Sequence, residues 1–227
     1  RIKMIKICVS GSKGKMGSRI IALAKNDSAF RISGEFDIGV EPASFIELSD
    51  CLIEFTTPEA TIAHLALCEK YKKAMVIGTT GLSDDEKNKI KEASRKIPIV
   101  FSSNMSIGVN ALFKLVENTA RLLGPDYTVR IKEAHHVHKK DAPSGTAKTL
   151  AQIIKDVNGD IDIPIESIRE DEIVGDHIIT FESPWDKIEL THSAKTRDIF
   201  AKGALEAVRF VVGKPARLYT MQEVLGI

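Results

Sequence analysis

A chain of 227 residues with 43% hydrophobic and 28% charged side chains can bury one large core or two modest ones, which excludes the disordered and fibrous classes. Its 32 basic and 31 acidic residues leave a formal net charge of +1, so the broad positive field used by nucleic-acid-binding proteins is missing and any anion site must be local. No run approaches the roughly 18 apolar residues of a membrane span. The start, Arg1-Ile2-Lys3-Met4, lacks the apolar core of a signal peptide, with Met4 a candidate natural start. Cys8, Cys51 and Cys68 are odd in number and lack metal-site spacing, which suits buried thiols in a reducing compartment. A cytoplasmic protein with neither membrane nor nucleic-acid partner is expected.

The first half alternates two kinds of segment. Met4 to Val9, Arg31 to Phe36, Cys51 to Thr56, Ala74 to Gly78 and Ile97 to Ser102 are short apolar or alternating runs bounded by Gly, Pro, Ser or Asp, the pattern of strands. Between them, Met16 to Lys25, Glu59 to Lys72 and Asp84 to Lys96 carry apolar residues at helical spacing, with Pro58 leading into the second and Ser83 placed to cap the third. This alternation predicts an α/β fold with a parallel sheet covered by helices on both faces.

The pattern changes after about Ser106. A helix from Val109 to Leu123, stopped by Gly124-Pro125, is followed by strands at Tyr127 to Ala134, Ile178 to Glu182 and Ile188 to Ser193, with a helix from Ser144 to Val157 between the first two. This reads as a second domain. The closing segment, Asp198 to Val212, is again helical and is placed to pack back on the first domain. No repeat, low-complexity tract or Pro/Gly-rich linker separates the two.

Ser10-Gly11-Ser12-Lys13-Gly14-Lys15-Met16-Gly17 sets three glycines at intervals of three, directly after a predicted strand and at the opening of a predicted helix. In that context the glycines allow a tight turn and close approach of backbone amides to a pyrophosphate, and the helix N-terminus adds partial positive charge. A glycine-rich surface turn is the plainer alternative. Asp37, at the end of the second strand, is the candidate partner for the adenosine ribose hydroxyls, and its charge opposes the extra phosphate of NADPH. Lys13 and Lys15 either offset such a phosphate or belong to a solvated turn. Gly78-Thr79-Thr80-Gly81 and Ser102-Ser103-Asn104-Met105 end the fourth and fifth strands, at the edge where an open parallel sheet binds ligands, although turn chemistry alone also explains those residues.

Glu133-Ala134-His135-His136-Val137-His138-Lys139-Lys140-Asp141-Ala142-Pro143-Ser144-Gly145-Thr146 gathers three of the six histidines within four positions. A metal site is one reading, since His136 and His138 share a strand face and Asp141 lies close, and a solvated charged loop is another. The continuation Pro143-Ser144-Gly145-Thr146 points to chemistry instead: it is a helix start whose free amides, hydroxyl and dipole suit a carboxylate. Beside it stand Lys139, a point charge or proton source, and His135 or His136, with pKa values near those of a general acid. An anion cradle beside proton donors, separate from a dinucleotide loop, describes a reductase better than a hydrolase.

These residues carry a family resemblance. Gly11-x-x-Gly14-Lys15-Met16-Gly17, Glu54-Phe55-Thr56-Thr57-Pro58, Gly78 to Gly81, Asn104 to Asn110 and, above all, His135-His136-x-His138-Lys139-x-Asp141-Ala142-Pro143-Ser144-Gly145-Thr146 resemble the 4-hydroxy-tetrahydrodipicolinate reductase family, as do Gly175-Asp176-His177-Ile178 and Thr191 to Ala204. The resemblance implies a Rossmann-type domain over residues 1–106, a second α+β mixed-sheet domain over 107–203 that binds a small cyclic dicarboxylate and builds a homotetramer, and a helix over 204–227 packing back on the first. It implies NADH or NADPH as cofactor and His135 and Lys139 as proton-donating catalytic residues. It also implies substrate contacts at His136, Gly145 and Thr146, and cofactor contacts at Gly11, Ser12, Lys13, Gly14, Lys15, Met16, Asp37, Gly78, Thr79, Thr80, Ser102, Ser103, Asn104 and Met105. No metal enters this scheme.

Two departures stand out. Ile38 follows Asp37 where members often carry an Arg that tolerates the NADPH phosphate, and the stretch from Gly39 to Asp50 is too short for the helix of longer members. Competing functions are another nicotinamide-dependent oxidoreductase, which the His-His-x-His-Lys run disfavours, a non-catalytic dinucleotide sensor, and a metal hydrolase. A sensor would be expected to have lost Lys139 or the Gly145-Thr146 cradle.

Overall fold

The computed structural model describes residues 4–227; the expectations for residues 1–3 lie outside the described residues. The chain divides into two units, one built from residues up to Ile107 together with Asp198–Ile227 and the other from Gly108–Arg197.

In the first unit, β1 (Ile5–Ser10), β2 (Phe30–Phe36), β3 (Cys51–Glu54), β4 (Ala74–Ile77), β5 (Ile99–Phe101) and β10 (Leu218–Tyr219) form one sheet. Its order is β10-β5-β4-β3-β1-β2 and every pairing is parallel. Alternation along these strands feeds two cores. Ile7, Val9, Cys51, Ile53, Val76 and Val100 face α1 (Lys15–Lys25), α7 (Asp198–Val211) and α8 (Met221–Leu225), while Cys8, Leu52, Met75, Ile77 and Ile99 face α2 (Ala43–Leu48), α3 (Pro58–Tyr71) and α4 (Asp84–Ala93). Because β2 and β3 flank β1 on opposite sides, the strand order reverses at β1/β3, the place where open α/β sheets generally bind ligands.

The helix ends follow local chemistry. Thr57 caps α3 by accepting from Ala60 N–H, with Pro58 in the first turn, and Ser83 and Glu86 form a reciprocal capping box on α4. The stretch from Gly39 to Asp50 does hold a helix, the six-residue α2, whose buried Ile46 is enough to dock it. Residues 204–227 are not one helix: α7 begins at Asp198 and ends before Gly213, at φ +84, after which β10 joins the sheet edge and α8 closes the chain.

In the second unit, β6 (Thr128–His135), β7 (Ile165–Arg169), β8 (Asp176–Glu182) and β9 (Lys187–Ser193) form a mixed sheet in the order β7-β6-β8-β9, with β6/β7 parallel and the other pairs antiparallel. Val129, Ile131, Ile179 and Phe181 pack against Val109, Leu112, Phe113 and Val116 of α5 (Ile107–Leu123) and Ala147, Leu150 and Ile154 of α6 (Gly145–Asn158). Sequence patterning missed β7, an edge strand of five residues with no fully buried position.

The tightest contact in the first unit lies on α7. A Cβ on Gly203 would stand 1.6 Å from the carbonyl oxygen of Met105, whose side chain is buried in the same core. Gly203→Ala is therefore expected to destabilise the protein by about 3 kcal/mol or more, because neither backbone can yield without moving the core. Urea unfolding measures this, and an unchanged midpoint would refute the close approach.

Candidate active site

The glycine loop sits where β1 meets α1. Gly11 takes φ +66 and its carbonyl accepts from Gly14 N–H at 2.9 Å, while a Cβ on Gly17 would meet that carbonyl oxygen at 2.1 Å. A side chain at the first or third glycine is thus excluded by backbone geometry. Gly14 caps α1 without a side-chain hydrogen bond, and no acidic residue stands in the first turn, so the amide end is suited to an anion. Asp37 bends back over this loop. Its two carboxylate oxygens accept from the amides of Lys13 (2.9 Å) and Ile38 (2.8 Å), and these hydrogen bonds, Lys13 first, hold its carboxyl below the usual range. Lys13 and Lys15 are exposed, Ser12 and Met16 half-buried, and Ile38 wholly exposed.

The neighbouring strand ends supply mostly backbone. Gly78 N–H donates to Glu54 O at 2.9 Å, and a Cβ on Gly78 would overlap the Phe55 ring. The Thr79 side chain is buried and bonded to Thr61 at 2.8 Å, and Met105 is buried in the core, so only their main-chain atoms can face a ligand. Thr80 and Ser103 are exposed. Ser102 Oγ donates to Asn104 O at 2.8 Å, which folds the segment into a compact turn. These features fit a dinucleotide: a cradle that no Cβ could enter, an uncapped amide end and a carboxylate at the second strand's tip.

The second cluster is built on the last turns of β6. Ile131, Glu133 and His135 alternate onto the face that packs the helices, so the strand carries its core phase into a polar group. Glu133 has no solvent exposure. Arg169, at the end of β7, grips its two oxygens at 3.1 and 2.9 Å, Ser144 N–H at the start of α6 donates at 3.3 Å, and His135 Nδ1 closes the set with a short contact. Burial raises the Glu133 carboxyl, but the Arg169 and His135 hydrogen bonds outweigh it and hold it at about 2.

The partner of Nδ1 fixes the His135 tautomer: facing a carboxylate, Nδ1 carries the proton and Nε2 presents its lone pair. Nε2 points past Gly175, where a Cβ would come within 3.0 Å. Burial lowers the His135 pKa, the Glu133 hydrogen bond and charge oppose this, and the charges of Lys139 and Arg169 reinforce it; the balance lies below the ordinary value.

Lys139 Nζ is paired with Asp141 at 2.7 Å, with the carboxylate half-exposed. Such a pair holds about 0–1 kcal/mol, so the ammonium can turn to a ligand at small cost. His136 is half-buried, its Nε2 3.4 Å from Arg197, and its ring centroid stands 6.2 Å from that of His138. Ser144 caps α6 by accepting from Ala147 N–H at 3.2 Å and lies 3.2 Å from His177 Nε2. Gly145 is exposed in the first turn of the helix, with nothing within 4 Å of its would-be Cβ, and Thr146 follows half-buried.

Patterning singled out His135, His136, Lys139, Gly145 and Thr146 but passed over what holds them: Glu133, Arg169 and His177. Glu133 was readable as a carboxylate in the buried phase of an alternating strand. Arg169 was not, because only the pairing of β7 with β6 brings it across from His135.

His177 is opposite Glu133 in the sheet register and buried, and burial first, then the His135 charge, pushes it down to about 4. It is neutral in the folded protein at pH 7, and the unfolded chain binds the proton first as pH falls. The folded state therefore loses stability between the ordinary value of 6.5 and about 4. The loss is on the order of 3 kcal/mol by linkage. His177→Asn should make the decline of urea stability across that window shallower; an identical slope would remove His177 as its source.

Residues 5–105 match the family described as dihydrodipicolinate reductase, N-terminus, and residues 108–225 that described as dihydrodipicolinate reductase, C-terminus. The chain is 37% identical to the 4-hydroxy-tetrahydrodipicolinate reductases of Cupriavidus metallidurans and Aromatoleum aromaticum. Each alignment covers 98% of this chain, and 100% and 96% of the respective relative. A dipicolinate-bound dihydrodipicolinate reductase from Paenisporosarcina superposes with a TM-score of 0.86 at 24% identity, covering 97% of this chain and 99% of that one. An amine dehydrogenase from Mycobacterium smegmatis follows at 0.62 and 10%, covering 96% and 95%, a likeness of fold alone. Both halves of one family occur here in their proper order, and relatives align from end to end; the chain belongs to the dihydrodipicolinate reductase family.

Proposed function

We propose that this chain reduces 4-hydroxy-tetrahydrodipicolinate to tetrahydrodipicolinate with NADH or NADPH and loss of water, in the diaminopimelate route to lysine. The observation that carries this is the family match across both units, because it supplies a substrate that geometry alone does not name. The test is a coupled assay in which the preceding enzyme makes the substrate from pyruvate and aspartate semialdehyde while NADH and NADPH consumption is followed. Absence of substrate-dependent oxidation of either would overturn the reading.

In this reading residues 1–106, with 204–227, bind the dinucleotide, and residues 107–203 bind substrate. Gly11 to Met16 would hold the pyrophosphate, Asp37 the adenosine ribose, and Gly78 to Thr80 and Ser102 to Met105 the remainder through main-chain atoms. When bound, the reduced nicotinamide supplies the hydride. Gly145 and Thr146 would hold a ring carboxylate at the start of α6, with His136 and Arg197 beside it. A proton must then reach the electron-rich ring, and Lys139 and His135 are the groups that would manage its transfer. Their contributions differ: with Nδ1 turned to Glu133, His135 presents Nε2 as an acceptor, so the donor would be the Lys139 ammonium.

The same reading makes the protein a cytoplasmic homotetramer. Its three cysteines are free and buried, as a reducing compartment allows, and no helix of the described residues is long and apolar enough to cross a membrane. The second unit's α5 and α6 cover one face of its sheet, and the β8–β9 turn leaves Trp185 87% exposed, an aromatic side chain available to a subunit contact. Light scattering should report four times the 25.0 kDa chain mass; a monomer would contradict this.

NADH should be used at least as well as NADPH, since Asp37 repels a ribose phosphate and the following Ile38 offers no counter-charge. Asp37→Ala should shift the preference toward NADPH by about tenfold, the equivalent of roughly 1.4 kcal/mol. A wild type that strongly prefers NADPH, with a mutant of unchanged ratio, would sink the assignment.

Lys139→Met keeps the side-chain volume and removes the proton and charge. It should lower kcat by roughly 10²- to 10⁴-fold while NADH affinity and thermal stability stay near wild type. His135→Gln should behave similarly, and the double mutant should cost much less than the product of the two if they act as one unit. Wild-type turnover in Lys139→Met would return the loop to a solvated charge cluster.

A further inference from the structure

Glu54 closes β3 with no solvent exposure, and the proposed reaction does not use it. One carboxylate oxygen accepts from the Thr56 amide at 3.1 Å and, closely, from the Thr56 hydroxyl; the other meets His64 Nδ1 of α3 at 2.6 Å. Beyond these contacts lie the two residues at the turn out of β1. His64 Nδ1 is 3.4 Å from Ser10 Oγ, and the methyl of Thr56 stands 2.7 Å from where a Cβ on Gly11 would be. The Phe36 ring packs edge-on to His64 with centroids 5.1 Å apart, so the imidazole is braced on a second side.

A buried carboxylate carries an effective desolvation penalty of several kcal/mol, and its charge opposes an anion bound close by. An apolar residue would fill the same volume at lower cost. What the carboxylate adds is a pair of acceptors that fix Thr56 against Gly11 and His64 against Ser10. We infer that Glu54 is a positioning residue for the dinucleotide, holding the Ser10-Gly11 turn, through Thr56 and His64, in the conformation that receives the pyrophosphate. This rests on the cofactor reading of the glycine loop.

The test measures NADH binding to the purified full chain by calorimetry, with steady-state kinetics alongside. Glu54→Leu should raise the Kd and KM for NADH about tenfold while kcat at saturating NADH falls less than about threefold. Glu54→Gln keeps an acceptor for Thr56 and can donate its amide N–H to His64 Nδ1 once that ring takes its other tautomer, and should return Kd to within about threefold of wild type. A direct charge effect has the opposite sign, since removing a negative charge beside an anion tightens binding. Tighter or unchanged binding by folded Glu54→Leu overturns the inference. If that variant does not fold, Thr56→Val, which removes only the hydroxyl, carries the same expectation, and a wild-type Kd there overturns it. Gly11→Ala and Asp37→Ala separate the two levels: if both bind NADH normally the cofactor reading fails, and if they weaken binding while the Glu54 and Thr56 variants do not, only the role of Glu54 fails.

Discussion

The Glu133 carboxylate is the contact on which the second unit's site depends. A charge taken fully out of water needs its lone pairs satisfied by good donors, and removing a single partner from a buried pair typically costs about 3–5 kcal/mol. Here the donors come from three places: Arg169 from β7, the N–H of Ser144, which caps α6, and His135 from β6 itself. Satisfying one carboxylate therefore fixes the imidazole, docks the edge strand and seats the first turn of α6. Arg169 adds a hydrogen bond to Asp141 O at 2.6 Å, which fastens the loop carrying Lys139 to the same anchor. The positions of His135, Lys139 and Gly145-Thr146 are thus not independent.

The first unit uses the same device in milder form. Asp37 accepts the Lys13 amide of the glycine loop, Glu54 accepts the Thr56 amide after β3, and Glu133 accepts the Ser144 amide before α6. Each is an acidic side chain within two residues of the end of a strand, and each binds a main-chain N–H of a loop that carries proposed ligand contacts or packs on one that does. Burial grades them. Asp37 remains solvated enough to offer an oxygen to a ribose, whereas Glu54 and Glu133 are sealed and can only hold other groups in place.

Local signals explain what was legible in the sequence. The glycine spacing, the Pro58 lead-in, the Ser83 cap and the short apolar or alternating runs of β1 to β5 are decided by residues within a few positions of one another, and the structure follows them. Three features depend on partners distant in the chain and could not be read this way. Arg169 gains its meaning from parallel pairing with β6, β10 is a strand only because β5 offers an edge, and Gly203 is required by the Met105 carbonyl. Glu133 stands between these cases. Its phase on β6 was visible, but an acid in a core phase reads as an exception until its donors are known.

The histidine run shows why residue type alone does not assign a role. His135, His136 and His138 are close in sequence, yet only His135 is driven into the core, with a carboxylate at one nitrogen and Gly175 close to the other. Burial makes it a poor cation, and the neighbouring Lys139 charge works in the same direction. His136 is half-buried with Arg197 beside its Nε2, so two adjacent residues of one type meet different surroundings because the strand turns one inward and leaves the other at its rim.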